Sequence, residues 1–213
     1  VIVHYHGSRP EALALTAELN ELRPGSATTL CCDFSVGNPA KSLIKSAGKV
    51  WSRLDLLVNN ASIFDETPVN TIEVSTWDRI QMINLRTPYF LSIAAAPMLG
   101  KTGGCVVNIA DIHADRPRSG YSAYCASKAG LVAVTRSLAV ELAPAVRVNC
   151  VSPGAILWAP NESETARKET IEKTPLKRHG RPEDIAQAVC FLAESNFITG
   201  HTINVDGGRV VRN

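Results

Sequence analysis

Short apolar runs and amphipathic segments alternate along the 213 residues of the chain. VIVHYH (1–6) reads as a β-strand already under way, and GSRP (7–10) as a turn. Residues 11–22 place Leu13, Ala14, Ala17 and Leu19 at helical spacing. ATTLCCDF (27–34) is a second strand, with Asp33 at its end, and 39–51 a second helix. LDLLVNNAS (54–62) is an apolar run of the kind a strand covered on both faces needs. Residues 74–100 read as one long helix capped by Ser75 or Thr76, with Pro88 and Pro97 as places for a kink or an early end. GCVVNIA (104–110) is a strand, 121–142 a helix and VRVNCVSPG (146–154) a strand ending in a turn. Residues 156–178 are polar and irregular around a helix at 165–173. A helix at 182–194 starts on Pro182 with acids behind it, favourable for the helix dipole. HTINVDGG (201–208) closes the pattern with a strand and a glycine turn.

Strands alternating with helices predict a parallel sheet covered by helices, a doubly wound α/β fold. No repeat, linker or shift of composition marks a second domain, so 1–213 is expected to be one domain. In the strand order 3-2-1-4-5-6 the first strand is central, and a glycine-rich turn follows it. No GxGxxG occurs here. With VIVHYH as strand 2, the sheet is split through its middle and each half exposes an edge. The expectation is that about 30 residues, one βα unit, precede Val1.

Composition narrows the classes. The chain is 45% hydrophobic and 20% charged, which argues against disorder. A net charge of +2 without a long basic run leaves neither nucleic acid nor an anionic membrane as an expected partner. No apolar run approaches the roughly 20 residues that span a bilayer. The six cysteines form no CxxC pair and read as reduced, mostly buried thiols of a cytoplasmic protein. The five histidines show no ligand spacing, and no metal is expected.

Chemistry concentrates in ADIHADRPRSGYSAYCASK (110–128). Tyr124 and Lys128 are four apart on a helix and share a face. A positive charge at about 4 Å, with an effective dielectric of about 20, stabilises a phenolate by about 4 kcal/mol, enough to bring a phenol towards neutrality. YxxxK alone is common. Asp111 either caps the DIHAD turn or belongs to the site.

NNAS (59–62), Asn84, YCASK (124–128), NCVSPG (149–154) and TGHTINVDGG (199–208) occur in order. Together they resemble the short-chain dehydrogenase/reductases over essentially the whole chain. HYHGS (4–8), NNASIF (59–64), PYFL (88–91), PGAILW (153–158) and Asp111 look like the pteridine reductases, bacterial members above all. Many members of the wider family have serine where Asp111 stands. A hydroxyl suits a ketone oxygen, whereas a carboxyl can relay a proton to a ring nitrogen reduced across C=N.

The resemblance implies an NADPH-dependent reduction of a dihydropterin or dihydrofolate to the tetrahydro form. Asp111 and Tyr124 would deliver the proton. Lys128 would bind the nicotinamide ribose and lower the Tyr124 pKa, and Asn84 would hold a water that refills the proton. Asn60 and Ala61 would lie against the cofactor, Ser62 near its phosphate or the pterin, and Asp33 near adenine. Pro153 and Gly154 would let the backbone approach nicotinamide. Phe64 would stack on the substrate ring, and Trp158 would contact substrate beside a covering loop at 161–173. Arg212 resembles a C-terminal arginine that reaches a neighbouring subunit, and a homotetramer is expected. At the end of strand 2, His6, Gly7, Ser8 and Arg9 offer no acid for a ribose 2′-hydroxyl, while Ser8 and Arg9 can bind a 2′-phosphate. This favours NADPH, unless Arg9 is simply a solvated loop charge. The alternatives are a 3-oxoacyl thioester reductase, or a dinucleotide sensor without catalysis.

Overall fold

The computed structural model describes residues 1–158 and 162–211. Its strands are β1 (Ile2–Tyr5), β2 (Thr28–Cys31), β3 (Leu56–Asn59), β4 (Cys105–Ile109), β5 (Arg147–Pro153) and β6 (Thr202–Val205). Its helices are α1 (Arg9–Leu22), α2 (Ala40–Trp51), α3 (Val74–Gln81), α4 (Thr87–Thr102), α5 (Ser122–Glu141), α6 (Glu164–Glu172) and α7 (Pro182–Glu194). All strand pairs within the two sheets are parallel, and the fold is the expected Rossmann-like α/β arrangement.

The strands form two separate sheets, β1–β2 and β3–β4–β5–β6. β1 and β3 both border a cavity of about 990 Å³ between them. Burial follows position. β4 is buried at every residue, and Val106, Val107, Val148 and Val151 are sealed. β3 is different: the run expected to be covered on both faces leaves Val58 38% exposed, because β3 is an edge strand facing the cavity. α2, α4 and α5 enclose one core against β4 and β5, with Ile44, Leu91, Leu99, Val106, Leu138 and Val148 in contact. α7 covers the other face through Leu192, packed on Val107 and Val151.

The helix expected at 74–100 is divided. α3 and α4 are joined by a π-helical turn, Met82–Arg86, and Pro88 stands at the start of α4. Proline has no N–H to donate to the carbonyl of residue 84, so the ordinary i→i−4 ladder cannot run through this point. Pro97 sits inside α4 without ending it. α1 begins at Arg9, two residues earlier than its apolar period suggests, because Pro10 suits a first turn.

The cysteines are all free, but only Cys105, Cys125 and Cys150 are buried; Cys31 and Cys190 are exposed, which corrects the expectation of mostly buried thiols. Among the described residues no helix is long and apolar enough to cross a membrane, and no three potential ligands are grouped for a metal ion.

Candidate active site

β4 ends at Ile109, and the chain leaves it through Ala110 and Asp111 into a short 3₁₀ turn, Ile112–Ala114. Asp111 caps this turn with one oxygen and meets Tyr124 with the other. Its Oδ1 accepts from the His113 N–H at 2.8 Å, capping the turn. Its Oδ2 accepts the Tyr124 hydroxyl at 2.9 Å. The cap holds the carboxyl still, so the second oxygen meets the phenol at the first turn of α5.

The electrostatics of Tyr124 correct the expectation that Lys128 lowers its pKa. Burial pushes the phenol above its ordinary 10.0, and the Asp111 charge and hydrogen bond push it the same way. Lys128 Nζ lies 5.6 Å from the Tyr124 ring centroid and donates to the Ile109 carbonyl at 2.8 Å. Asp111 is the nearer charge, and its negative sign favours the protonated phenol. Lys128 is 2% exposed. Burial brings its pKa from 10.5 to about 8, against the opposing pull of Asp111 and Cys150.

Asn84 sits in the π-helical turn and is fully buried. Its Oδ1 accepts from the Ile63 N–H at 2.9 Å and the Ser62 hydroxyl at 3.2 Å. Its Nδ2 donates to the Ile63 carbonyl at 2.9 Å and Ser127 Oγ at 3.2 Å. The side chain therefore ties the loop after β3 to α5, and none of these bonds runs to Lys128. Ser127 completes the tie by donating to the Tyr124 carbonyl at 2.7 Å. A second buried chain runs from Asn59 Nδ2 to Asn108 Oδ1 at 2.7 Å, then from Asn108 Nδ2 to Thr135 Oγ1 at 2.8 Å. It joins β3, β4 and α5. Sequence reasoning missed Ser127, Asn108 and Thr135 as positioning residues. The available signal was a polar residue inside an apolar strand or helix face.

Phe64 is placed beside the phenol, edge to face with Tyr124 at 4.6 Å and 82°. One of its faces lies on Tyr121, at 4.4 Å and 12°, so at most one face remains for a substrate ring. Tyr121 was not anticipated. Trp158 does not join this group: its ring contacts are His179 at 5.4 Å and the Arg167 guanidinium at 5.8 Å. In the segment expected to cover the site, α6 is formed, while residues 159–161 and Arg212 lie outside the described residues.

The residues expected to bind cofactor are dispersed, and among the described residues two of them line the cavity. Asn60 and Ala61 line the cavity beyond the end of β3. His6 and Ser8 follow β1, Arg9 opens α1, and all three are exposed. Asp33, after β2, approaches His6 Nε2 at 3.5 Å, and hydrogen bonds from Ser35 hold its carboxyl below the ordinary value. Pro153 ends β5. A Cβ on Gly154 would stand 2.7 Å from Asp206 Cα. Its close approach is to the chain after β6.

The donor set fits a nicotinamide dinucleotide. Lys128 spends one ammonium hydrogen on Ile109 and has others for ribose hydroxyls. At the other end, the Ser8 hydroxyl makes no bond to the α1 N-terminus, and Arg9 stands beside it. Together they suit a phosphate.

Comparison with known proteins agrees with this architecture. A family described as Enoyl-(Acyl carrier protein) reductase matches residues 1–209. The chain belongs to the short-chain dehydrogenase/reductase family, and is accordingly an oxidoreductase working with a nicotinamide cofactor. It is similar to the 3-oxoacyl-[acyl-carrier-protein] reductase FabG of Thermotoga maritima, 32% identical over 194 residues, covering 88% of this chain and 79% of that protein. It is 34% identical to the 3-oxoacyl-[acyl-carrier-protein] reductase of a Synechocystis species, over 99% of this chain and 87% of that one. Human dehydrogenase/reductase SDR family member 4 is 37% identical over 86% of this chain and 69% of its own. The first two names side with the 3-oxoacyl thioester alternative rather than with the pteridine reductases.

Proposed function

We propose that the protein reduces the C=N bond of a dihydropterin or dihydrofolate to the tetrahydro form, using NADPH. The observation that carries this reading is the hydrogen bond from the Tyr124 hydroxyl to Asp111 Oδ2 at 2.9 Å. A ketone oxygen needs a fixed donor at this place, and a carboxylate would repel it. A ring nitrogen needs a proton and has a lone pair to take it, which a phenol and a carboxyl in series can supply.

NADPH, when bound, supplies the hydride to carbon. Lys128 holds the ribose, and Asn84 with Ser127 fixes α5 so that Tyr124 Oη stays at the mouth of the site. Substrate arrival draws the Tyr124 hydrogen away from Asp111 and onto the ring nitrogen. The phenolate left on Tyr124 then takes a proton from solvent, and its hydrogen bond to Asp111 Oδ2 forms again. Phe64 lays its open face against the flat ring, and Ser62 contacts it or the cofactor phosphate. Ser8 and Arg9 hold the 2′-phosphate, with His6 beside them, and Asp33 faces the adenine. Asn60, Ala61, Pro153 and Gly154 line the path between. A homotetramer belongs to the same proposal, supported by the fully exposed Phe197 and the open edge of β6.

The second reading is reduction of a 3-oxoacyl thioester, favoured by the names of the relatives. Purified protein with NADPH, offered dihydrobiopterin, dihydrofolate and an acetoacetyl thioester in parallel, separates the two. Turnover of a pterin with little use of the thioester is expected. NADPH oxidation by the thioester alone overturns the first reading.

A further inference from the structure

The loop between β4 and α5, DRPRSGY (115–121), carries two arginines that the reaction above does not use. Arg118 is exposed, and its guanidinium carbon lies 4.8 Å from the centroid of the Tyr121 ring and 5.7 Å from that of Phe64. Those rings are the stack whose Phe64 edge meets Tyr124. A cation therefore stands one ring beyond the catalytic phenol. Tyr121 is itself held by its hydroxyl, which donates to Glu66 Oε1 at 3.0 Å.

Arg118 has company. Arg116 Nη1 donates to the Arg209 carbonyl at 2.7 Å, bringing the segment after β6 against this loop. The Arg209 side chain is half-buried, and its pKa is lowered by burial first and then by the charges of Arg118 and Arg116. Asp111 and Glu162 are the carboxylates facing it, and they pull the other way. Like charges brought together beside an aromatic platform raise each other's energy. An oxyanion placed among them relieves that repulsion, and guanidinium planes bind such groups through paired hydrogen bonds.

We propose that Arg118, supported by Arg116 and Arg209, is a subsite for an anionic group on the far end of the substrate. The flat reducible part lies at Phe64 and Tyr124, and the anionic group reaches Arg118. For a dihydrofolate the anion is the carboxylate of its tail, and for a coenzyme-borne thioester it is a phosphate. The class of ligand, a carboxylate or phosphate carried beyond the reacting group, is common to both. The inference rests on the reading of Tyr124 as the proton donor, and the test works for either substrate.

Binding is measured by calorimetry on the NADP⁺-loaded protein, and turnover with NADPH, at low and high salt. The matched ligands are dihydrofolate against dihydrobiopterin, and acetoacetyl coenzyme A against its uncharged N-acetylcysteamine thioester. In the wild-type protein the anionic member of the productive pair binds more tightly, and added salt shrinks the difference. Arg118→Gln weakens the anionic ligand about tenfold, the loss of one charge-assisted bond. It leaves the neutral ligand within about twofold, and kcat for both is unchanged within the same margin. Arg118→Lys restores part of the preference. Equal affinity for both members in the wild-type protein overturns the inference. So does equal weakening of both by Arg118→Gln, which marks a packing role. Binding of the thioesters with no pterin bound overturns the pterin reading alone, and the coenzyme pair then decides the anion subsite.

Discussion

The four-stranded sheet and the β1–β2 pair stand on opposite sides of one cavity and are built to different standards. On the four-stranded side, β4 is wholly buried, and Asn59, Asn108 and Thr135 pin β3 and α5 to it with buried hydrogen bonds. Asp111, Tyr124 and Lys128 grow from that frame, and each has a fixed partner before any ligand arrives. On the two-stranded side no residue of β1 is buried, and His6, Ser8 and Arg9 lie in solvent. The contrast teaches where rigidity is needed. Proton transfer demands that two atoms meet within hydrogen-bonding distance, and a buried frame supplies that. Under the proposed reading, telling a phosphate from a hydroxyl calls for charge and paired donors, which exposed side chains can carry.

The largest effect should come from the rigid side. Tyr124→Phe keeps the ring packing against Phe64 and removes the proton, so kcat should fall about 10³-fold with cofactor affinity retained. A fall of less than about tenfold in single-turnover kinetics would mean that another group donates.

Lys128 tests the cost of building that frame around a charge. Its folded pKa, about 8, lies below the ordinary 10.5, so between these values the unfolded chain binds more protons and stability rises with pH. The rise is on the order of 3 kcal/mol. Lys128→Met should remove it, as read from urea midpoints at pH 7 and pH 10 for both proteins.

Replacing Asp111 sharpens the comparison further. Asp111→Ala should lower turnover of a dihydropterin about 10- to 100-fold while NADPH still binds. Asp111→Ser should not restore it, and under the thioester reading Asp111→Ser should instead raise ketone reduction. Unchanged pterin turnover in Asp111→Ala would remove the carboxyl from the mechanism.

Packing contrasts the sealed and open strands directly. Val107 is sealed, so Val107→Ala should cost about 2 kcal/mol; Val58, 38% exposed, should lose about half as much or less. Equal losses in denaturant melts would mean that β3 is as tightly covered as β4. Among the exposed residues, Arg9→Ala should raise KM for NADPH about tenfold and hardly change that for NADH. Equal changes would assign Arg9 to solvent.

Much of this was legible beforehand because it is local. Pro182 and the acids behind it announce α7, and the alternation of strands and helices announces the parallel sheet. Tyr124 and Lys128 share a face by helical spacing alone. Other features depended on chain brought from elsewhere. The helix expected at 74–100 became two helices and a π-helical turn, because one absent N–H at Pro88 outweighs a continuous apolar period. Trp158, assigned to substrate by its place after PGAIL, turned towards His179 and Arg167 instead.

The order of elements, the helix-face pairing of Tyr124 with Lys128 and the carboxyl thirteen residues ahead of the phenol were determined by the sequence itself. Each follows from periodicity or from residue type at a given spacing. Which charge governs the phenol was decided only by the tertiary structure. Helical spacing gives Lys128 the right face, but the 3₁₀ turn after β4 brings Asp111 to 2.9 Å while Lys128 is drawn to the Ile109 carbonyl. Electrostatic influence depends on distance and burial, and neither is written in the separation along the chain.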